Sequence, residues 1–235
     1  EVRAGEVLGI AGIAGNGQIE LMGALSGETG SPLAGSIRIL GTNAIGLNPT
    51  ARRSLGAVFV PEERIGHAAV ADMTLVDNSY LTGDTRMNFS HRGLIDWPAV
   101  TRFTQKVVQN FDVRTTGVDA LASCLSGGNL QKFIVGREIL QQPSLLVVSQ
   151  PTWGVDAGAA AAIHEEIQRL VSAGAAVLMI SQDLDEVFLL SHRIAVISQG
   201  TLSVTTPIDE VSPEDIGLLM GVRHEVQPKV DHVAA

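Results

Sequence analysis

The chain contains a single cysteine, Cys124, in 235 residues, and aromatic side chains make up only 4% of it. A lone cysteine excludes a disulfide within the chain. Charged residues make up 17%, the net charge is −9, and no segment forms a basic stripe. Direct binding to nucleic acid, which requires such a stripe, is therefore not expected. No apolar run approaches the roughly 20 residues that span a bilayer, so no transmembrane helix is predicted.

Apolar residues and glycine are abundant instead. Apolar residues make up 45% of the sequence, and there are 25 glycines. This composition is typical of an α/β protein with buried Val, Ile and Leu strands joined by tight turns. The chain starts at Glu1 without a Met, and a predicted strand follows almost at once. We therefore expect the N-terminus to be a cut within a longer polypeptide.

Predicted strands and helices alternate, which indicates a mainly parallel sheet flanked by helices. Apolar or alternating runs predict strands at 7–10, 36–40, 57–60, 145–149, 176–181, 194–197 and 201–204. Helical spacing and capping residues predict helices at 19–25, 76–81, 128–140, 157–171, 184–190 and from 213 onward, and a helical insert at 90–123. We expect one domain at 1–221, with a helical subdomain at about 90–140, and a mobile tail at 222–235.

The run Leu125-Ser126-Gly127-Gly128-Asn129 has the composition of a helix N-terminus that meets an anion. Ser126 is suited to cap the helix, and the two glycines let backbone N–H groups approach a ligand without an intervening Cβ. Free N–H groups and the positive end of the helix dipole favour phosphate. The alternative is a capped helix after a glycine turn, without a ligand.

Residues 12–19 lie between a predicted strand and a predicted helix, the context of a phosphate-binding loop. Gly12 and Gly17 hold the two fixed glycine positions of the pattern G-x-x-x-x-G-K-[ST]. Gln18 replaces the Lys that contacts phosphate, and Ile19 replaces the hydroxyl residue that binds Mg²⁺. Weak nucleotide binding and a loop kept only for packing both remain open. The residues expected at this site are Gly12, Gly15, Asn16, Gly17, Gln18 and Ile19.

Residues 145–156, LLVVSQPTWGVD, resemble the Walker B strand and D-loop of ABC-type ATPases. The run 125–129 resembles the signature motif of that family, and the resemblance extends over about 5–221. The chain looks like the second nucleotide-binding half of a tandem ATPase subunit from bacterial importers of simple sugars and nucleosides. Asn129 at the end of the signature, Glu62 within a Q-loop-like segment at 60–64, and residues 150–156 point to that group. The resemblance implies a P-loop NTPase fold of the ABC type, with a mainly parallel sheet, flanking helices and an inserted helical subdomain.

Three further positions depart from the family pattern. Ser149 stands where the metal-binding Asp belongs, Gln150 where the general base belongs, and Gln182 where the switch His belongs. Glutamine cannot accept a proton, and general base catalysis typically contributes 10²–10⁴-fold. With Gln18 and Ile19, five separate chemical roles are missing together. We therefore expect no catalytic residue and no metal in this chain's own site.

The resemblance also implies how the chain would act. Its signature residues Leu125, Ser126, Gly127, Gly128 and Asn129, with Gln131 orienting them, would complete the ATP site of the first nucleotide-binding half, in the same or a sibling polypeptide. ATP would then bind weakly or in trans, with Mg²⁺ only at the partner half's site. Asp156 would lie at the interface between the halves, cap the helix at 157–171, or both. The insert at 90–123 and residues 62–64 would receive a helix of a transmembrane permease. The expected location is peripheral, on the cytoplasmic face of the cell membrane.

Other interpretations remain open at this stage. The chain could be a soluble ABC-derived adaptor or translation-type factor, or a self-sufficient ATPase with unusual residues. Trp97, Phe103 and Phe111 are expected in a helical core, and Trp153 either at the interface or in the core. The pairs at 165–166 and 185–186 are expected on solvated helix faces, and His164 in no metal site.

Overall fold

The computed structural model describes residues 1–30 and 34–221; the predicted tail at 222–235 lies outside the described residues. The strands are β1 (Val7–Ala11), β2 (Arg38–Ile39), β3 (Thr42–Asn43), β4 (Ala57–Val60), β5 (Ser90–His91), β6 (Leu94–Ile95), β7 (Leu145–Ser149), β8 (Ala176–Ser181), β9 (Arg193–Ser198), β10 (Thr201–Leu202) and β11 (Thr206–Pro207). The helices are α1 (Gln18–Ser26), α2 (Pro49–Ser54), α3 (Leu75–Met87), α4 (Trp97–Asn110), α5 (Gly127–Ile139), α6 (Ala157–Ser172), α7 (Leu184–Leu190) and α8 (Pro213–Gly221). Among the described residues, no helix is long and apolar enough to cross a membrane.

The main sheet has the strand order β10-β9-β1-β8-β7-β4. Strands β9, β1, β8, β7 and β4 run parallel, and β10 and β11 pair antiparallel with β9. Every residue of β1, β4 and β8 is buried, as expected for a parallel sheet covered by helices on both faces. The prediction of a mainly parallel sheet flanked by helices is confirmed.

The predicted bounds hold best for three strands of the main sheet and for α7. Strands β4, β7 and β8 and helix α7 begin and end where the sequence predicts. The strand predicted at 36–40 is shorter, because its antiparallel partner β3 spans only two residues. The strand predicted at 201–204 is also shorter. There the Ser203 N–H still donates to Val196 O at 2.8 Å, but the Val196 N–H donates to the Ser203 hydroxyl at 2.9 Å and not to a backbone carbonyl, so the regular ladder is not continued.

Helix α3 is twice as long as predicted. Thr74 caps it, in a reciprocal capping box with Asp77. The helix continues past residue 81 and through Gly83, against which the Phe89 ring packs so closely that a Cβ would lie 2.8 Å from it. Tertiary packing therefore overrides the weak helix propensity of this segment.

Helices α3, α4 and α5 pack together beside the sheet. Phe103 and Phe111 are buried in this unit, as predicted. Trp97 is not, since 43% of it is exposed and its ring lies tilted against Tyr80, with 5.5 Å between the centroids. The core prediction for Trp97 is therefore wrong, because the first turn of α4 lies at the edge of the unit.

A partly buried arginine on α2 and a buried arginine on α5 itself both pair with the buried Glu138 of α5. Arg53 on α2 donates to the Glu138 carboxylate at 2.6 Å, and Arg137 donates to it at 3.0 Å. Burial alone would raise the pKa of Glu138, but the charges of Arg53 and then Arg137 outweigh it and lower that pKa below its usual value. Arg137 also donates to the backbone of loop 62–73 at Ala68. This ion cluster therefore ties the helical unit to the sheet domain.

Candidate functional site

The loop between β1 and α1 has the backbone of a phosphate-binding loop. Gly15 and Gly17 have φ values of 83° and 109°, which glycine adopts without strain. A Cβ at Gly12 would lie 2.5 Å from Ile197 and 2.8 Å from the Gln18 amide. The glycines at the two fixed positions are therefore required by the geometry of the loop.

The two substituted positions that follow the loop face different surroundings. Gln18 is buried, and its amide bonds to the loop itself: Oε1 accepts from Asn16 N at 2.9 Å, and Nε2 donates to Ile13 O at 2.7 Å. Ile19 is 74% exposed. An exposed isoleucine at the start of α1 can neither coordinate a cation nor donate to a phosphate.

The end of β7 lies beside this loop. Ser149 and Gln18 line one cavity of about 550 Å³, together with Ile19, Glu62 and Trp153. Gln150 is buried next to Ser149, and its Oε1 lies 3.4 Å from Ser181 Oγ and 3.5 Å from Gln182 N. The structure therefore brings the predicted loop, the Walker B positions and the switch position to one edge of the sheet.

These residues do not fit Mg²⁺. The ion requires near-octahedral oxygen ligands, usually with one or two carboxylates. The two metal-binding positions hold the sec-butyl group of Ile19 and the single hydroxyl of Ser149. Within residues 1–30 and 34–221, no group of three His, Cys, Asp or Glu side chains is placed to hold a metal ion. The site therefore lacks the ligand set that Mg²⁺ needs.

The signature run forms the start of α5, with Ser126 at the N-cap position. Its hydroxyl does not cap the helix backbone, so that part of the prediction is wrong. Instead it accepts from Asn129 Nδ2 at 2.9 Å, and Asn129 Oδ1 accepts from Arg114 N at 2.9 Å. Asn129 competes successfully for the hydroxyl because it lies one turn along, on the same helix face. These two bonds fix the Asn129 side chain at the helix start.

The glycine pair in the signature packs against neighbouring loops. A Cβ at Gly128 would lie 2.9 Å from Gly154 O, and one at Gly127 would lie 2.8 Å from the Arg64 guanidinium. A second cavity of about 390 Å³ opens here, lined by Ser126, Gly128, Asn129, Arg114, Lys132 and Asp156 among others. Two cationic side chains, Arg114 and Lys132, therefore border the start of α5.

Gln131 and Arg64 connect the two cavities. Gln131 is 2% exposed, and its Nε2 donates to Gln150 O at 3.1 Å and Pro151 O at 2.9 Å. Its Oε1 accepts from Arg64 Nε at 2.8 Å, and Arg64 also donates to Trp153 O. The expectation that Gln131 orients the signature gains a physical basis in these bonds. The bridging position of Arg64 was not predicted, because its partners are far away in sequence.

Asp156 caps α6, with its carboxylate accepting from Ala159 N at 3.0 Å. This backbone bond is the main cause that lowers the pKa of Asp156. The side chain also borders the signature cavity. The capping role is therefore confirmed, and a role at an interface between halves stays a prediction. Trp153, three residues earlier, is 61% exposed, which excludes the core alternative for it.

A buried carboxylate that the sequence interpretation placed in solvent lies behind these loops. Glu186 is 4% exposed and accepts from Thr152 Oγ1 at 2.7 Å and Ser181 Oγ at 2.8 Å. The ring nitrogen His164 Nε2 lies 3.0 Å from the same carboxylate. The prediction that Glu186 lies on a solvated helix face is wrong, because Glu186 lies on the buried face of α7 next to Val187. Its helical spacing relative to the apolar residues of α7 was the available signal.

Comparison with known proteins places this geometry in a family. A family model described as ABC transporter matches residues 1–153. The nucleoside import ATP-binding protein NupA of Lactococcus lactis subsp. cremoris is 39% identical over 94% of this chain and 43% of its own length. The guanosine import ATP-binding protein NupO of Bacillus subtilis is 36% identical over 93% of this chain, and the ribose import ATP-binding protein RbsA 1 of Streptomyces avermitilis is 35% identical over 97%. The chain spans less than half the length of these relatives.

Solved structures agree on the fold. The dimeric ATP-binding cassette MJ0796, bound to ADP and Pi, has a TM-score of 0.75 at 18% identity, covering 88% of each chain. The ATP-binding subunit of an ABC transporter has a TM-score of 0.74 at 18% identity, covering 93% of this chain and 89% of the other. On the family model, the curated relatives and the cassette fold, this chain belongs to the ABC transporter family, as an ATP-binding cassette of the type found in sugar and nucleoside import proteins.

Proposed function

We propose that this chain is the second cassette of a bacterial sugar or nucleoside import ATPase. It donates its signature motif to the ATP site of a partner cassette, while its own site does not hydrolyse ATP. The curated relatives support this proposal, because they are nucleoside, guanosine and ribose import ATP-binding proteins. The chain matches 43% of their length, which leaves room for another cassette of similar size.

The contrast between the two cavities is the main observation behind the proposal. At the first cavity, Ile19 and Ser149 occupy the positions where two metal ligands would be needed. Gln150, buried next to Ser149, occupies the position where a general base would be needed. In the second, the start of α5 is exposed at Ser126 and Gly127. The cavity there is bordered by the exposed Arg114, by the Asp156 carboxylate, and by Lys132, which is buried and pairs with Asp112 at 3.6 Å. The exposed helix N-terminus favours a phosphate group, and Arg114 supplies one exposed positive side chain beside it.

The bonds of Gln131 and Arg64 would make signature donation sensitive to the state of the chain's own site. Gln131 joins the signature helix to the backbone at Gln150, and Arg64 extends that connection to Trp153. A displacement of the loop at 150–156 would therefore also displace the start of α5. In this proposal, the degenerate site keeps its loops because they hold the signature in place.

A surface suited to a permease lies where loop 62–73 meets the helical unit. Ile65, Val70, Met73 and Leu121 are each 38–41% exposed there. Backbone bridges join Ile65 to Ala69 and Thr74 to Leu121, so these side chains come from one region of the surface. An apolar segment of a transmembrane partner would bury them, which fits a peripheral location on the cytoplasmic face of the membrane.

The signature proposal is tested with Asn129→Asp in a complex with the partner cassette. The substitution keeps the shape of the side chain but removes its donation to Ser126 and adds a negative charge at the helix start. We expect at least a tenfold loss of steady-state ATP hydrolysis in the complex, because like charges repel phosphate and one tenfold factor corresponds to about 1.4 kcal/mol. Asn43→Asp, on the exposed strand β3, is the matched control and should leave the rate unchanged.

An unchanged rate for Asn129→Asp in an intact complex would contradict signature donation.

A soluble adaptor or translation-type factor makes a different prediction. Such a protein would not be retained by membrane vesicles that contain the permease, whereas the proposed cassette would be.

A further inference from the structure

The side chain of Gln18 folds back over the loop that precedes it. Its Oε1 accepts the backbone N–H of Asn16 at 2.9 Å, and its Nε2 donates to Ile13 O at 2.7 Å. The residue is 6% exposed. Both ends of the amide are thus bonded to the backbone of the phosphate-binding loop itself.

The loop holds this shape through contacts other than those of Gln18. Asn16 Nδ2 donates to Ile13 O at 2.8 Å, and Asn16 Oδ1 accepts from Gln199 N at 2.9 Å. The Asn16 carbonyl accepts from Gly200 N at 2.8 Å. The turn between β9 and β10 therefore fixes Asn16, and the direction of its N–H does not depend on a bound ligand.

Backbone N–H groups in such loops are the groups that bind phosphate oxygens. Here the N–H of Asn16 is already bonded to an uncharged oxygen of the same chain. The absence of a Cβ at Gly12 makes this possible, since one would lie 2.8 Å from Gln18 Nε2. We infer that Gln18 is an internal ligand of the phosphate-binding loop, which occupies a donor that a nucleotide phosphate would need.

This inference rests on the proposed function and concerns the same inactive site. The inference and its alternative predict opposite changes in nucleotide affinity when the Gln18 side chain is removed. If Gln18 instead contributed a hydrogen bond to a bound nucleotide, its removal would weaken binding. If Gln18 competes with the nucleotide, its removal frees the Asn16 N–H and strengthens binding. The net contribution of a hydrogen bond corresponds to about a two- to tenfold change in affinity.

The experiment measures ADP binding by titration calorimetry without metal, on the 235-residue chain. Gln18→Ala removes the amide, and Gln18→Met keeps most of the side-chain volume while removing both polar atoms. We expect both variants to bind ADP about two- to tenfold more tightly than the unmodified chain. Gln168→Ala, at an exposed position of α6, is the matched control and should bind ADP as the unmodified chain does.

A second measurement does not depend on affinity. Hydrogen exchange of the Asn16 amide, followed by NMR, should be faster in Gln18→Met than in the unmodified chain, because the N–H loses its acceptor. Equal or weaker ADP binding by both variants, or unchanged exchange at Asn16, would overturn the inference. Either result would leave signature donation untouched, because that function is measured at the partner's ATP site.

Discussion

The buried carboxylate of Glu138 offers the sharpest test of how the helical unit is held to the sheet domain. Its side chain has no exposed surface, and it accepts from Arg53 at 2.6 Å, Arg137 at 3.0 Å and Gln141 Nε2 at 3.1 Å. Glu138→Gln keeps the shape but removes the charge, and leaves the fully buried Arg137 guanidinium without an anionic partner. Removing one member of a buried ion pair typically costs about 3–5 kcal/mol. We expect a loss of that size in the free energy of unfolding.

Urea denaturation followed by circular dichroism measures this loss, provided that the transition is cooperative. Glu165→Gln is the control, because Glu165 forms an exposed pair with Arg169 on α6 and exposed pairs typically contribute at most about 1 kcal/mol. A loss below about 1 kcal/mol for Glu138→Gln would refute the argument that this cluster depends on charge.

The stability difference between the unmodified chain and Glu138→Gln should also depend on pH, in a direction that follows from the pKa of Glu138. The pKa of Glu138 is lower in the folded chain than its usual value of 4.5, so the folded state binds fewer protons there. The stabilisation from this group is present above pH 4.5 and is lost as the pH falls toward the folded-state pKa. The stability difference between the unmodified chain and Glu138→Gln should therefore narrow below about pH 4.5.

Two more variants test the site. Gln18→Lys combined with Gln150→Glu should still give no substantial Mg²⁺-dependent ATP hydrolysis in the chain alone, because Ile19 and Ser149 remain and neither position supplies a metal ligand of the family pattern. Clear hydrolysis in a phosphate-release assay would show that the metal argument is wrong. Glu186→Ala should lower the free energy of unfolding by about 1.5–3 kcal/mol in urea, since its carboxylate accepts from Thr152 and Ser181. The exposed neighbour Asp185→Asn is the control, and equal losses for the two would contradict a buried role for Glu186.

The sequence predicted the parallel sheet well because its strands are continuous apolar runs. Strand β8 lies at the sheet centre, β7 lies next to it and β4 lies at the edge. Nearly all their residues are buried, and burial on both faces demands such runs. The short antiparallel pairs β2–β3 and β5–β6 gave weaker signals, because two residues per strand are too few to show alternation. Helix α3 was underestimated because packing of Phe89 on Gly83 compensates for a poor local propensity.

For the candidate site, residue identity alone determined which chemistry is missing. An isoleucine at position 19 and a glutamine at position 150 lack a metal ligand and a general base in any fold. The glycines of the two loops also follow from local backbone demands, which a sequence pattern records. These conclusions depend on covalent structure and local geometry, so no knowledge of distant contacts was needed.

Tertiary structure alone decided how those loops are held. Arg64 meets Gln131 across 67 positions of sequence, and Thr152 meets Glu186 across 34. Periodicity reports only which face of one element is apolar, so it cannot pair polar side chains from separate elements. The hydrogen-bond partners of the Gln18 amide likewise depend on the shape of the phosphate-binding loop. The turn at residues 199–200 maintains that shape.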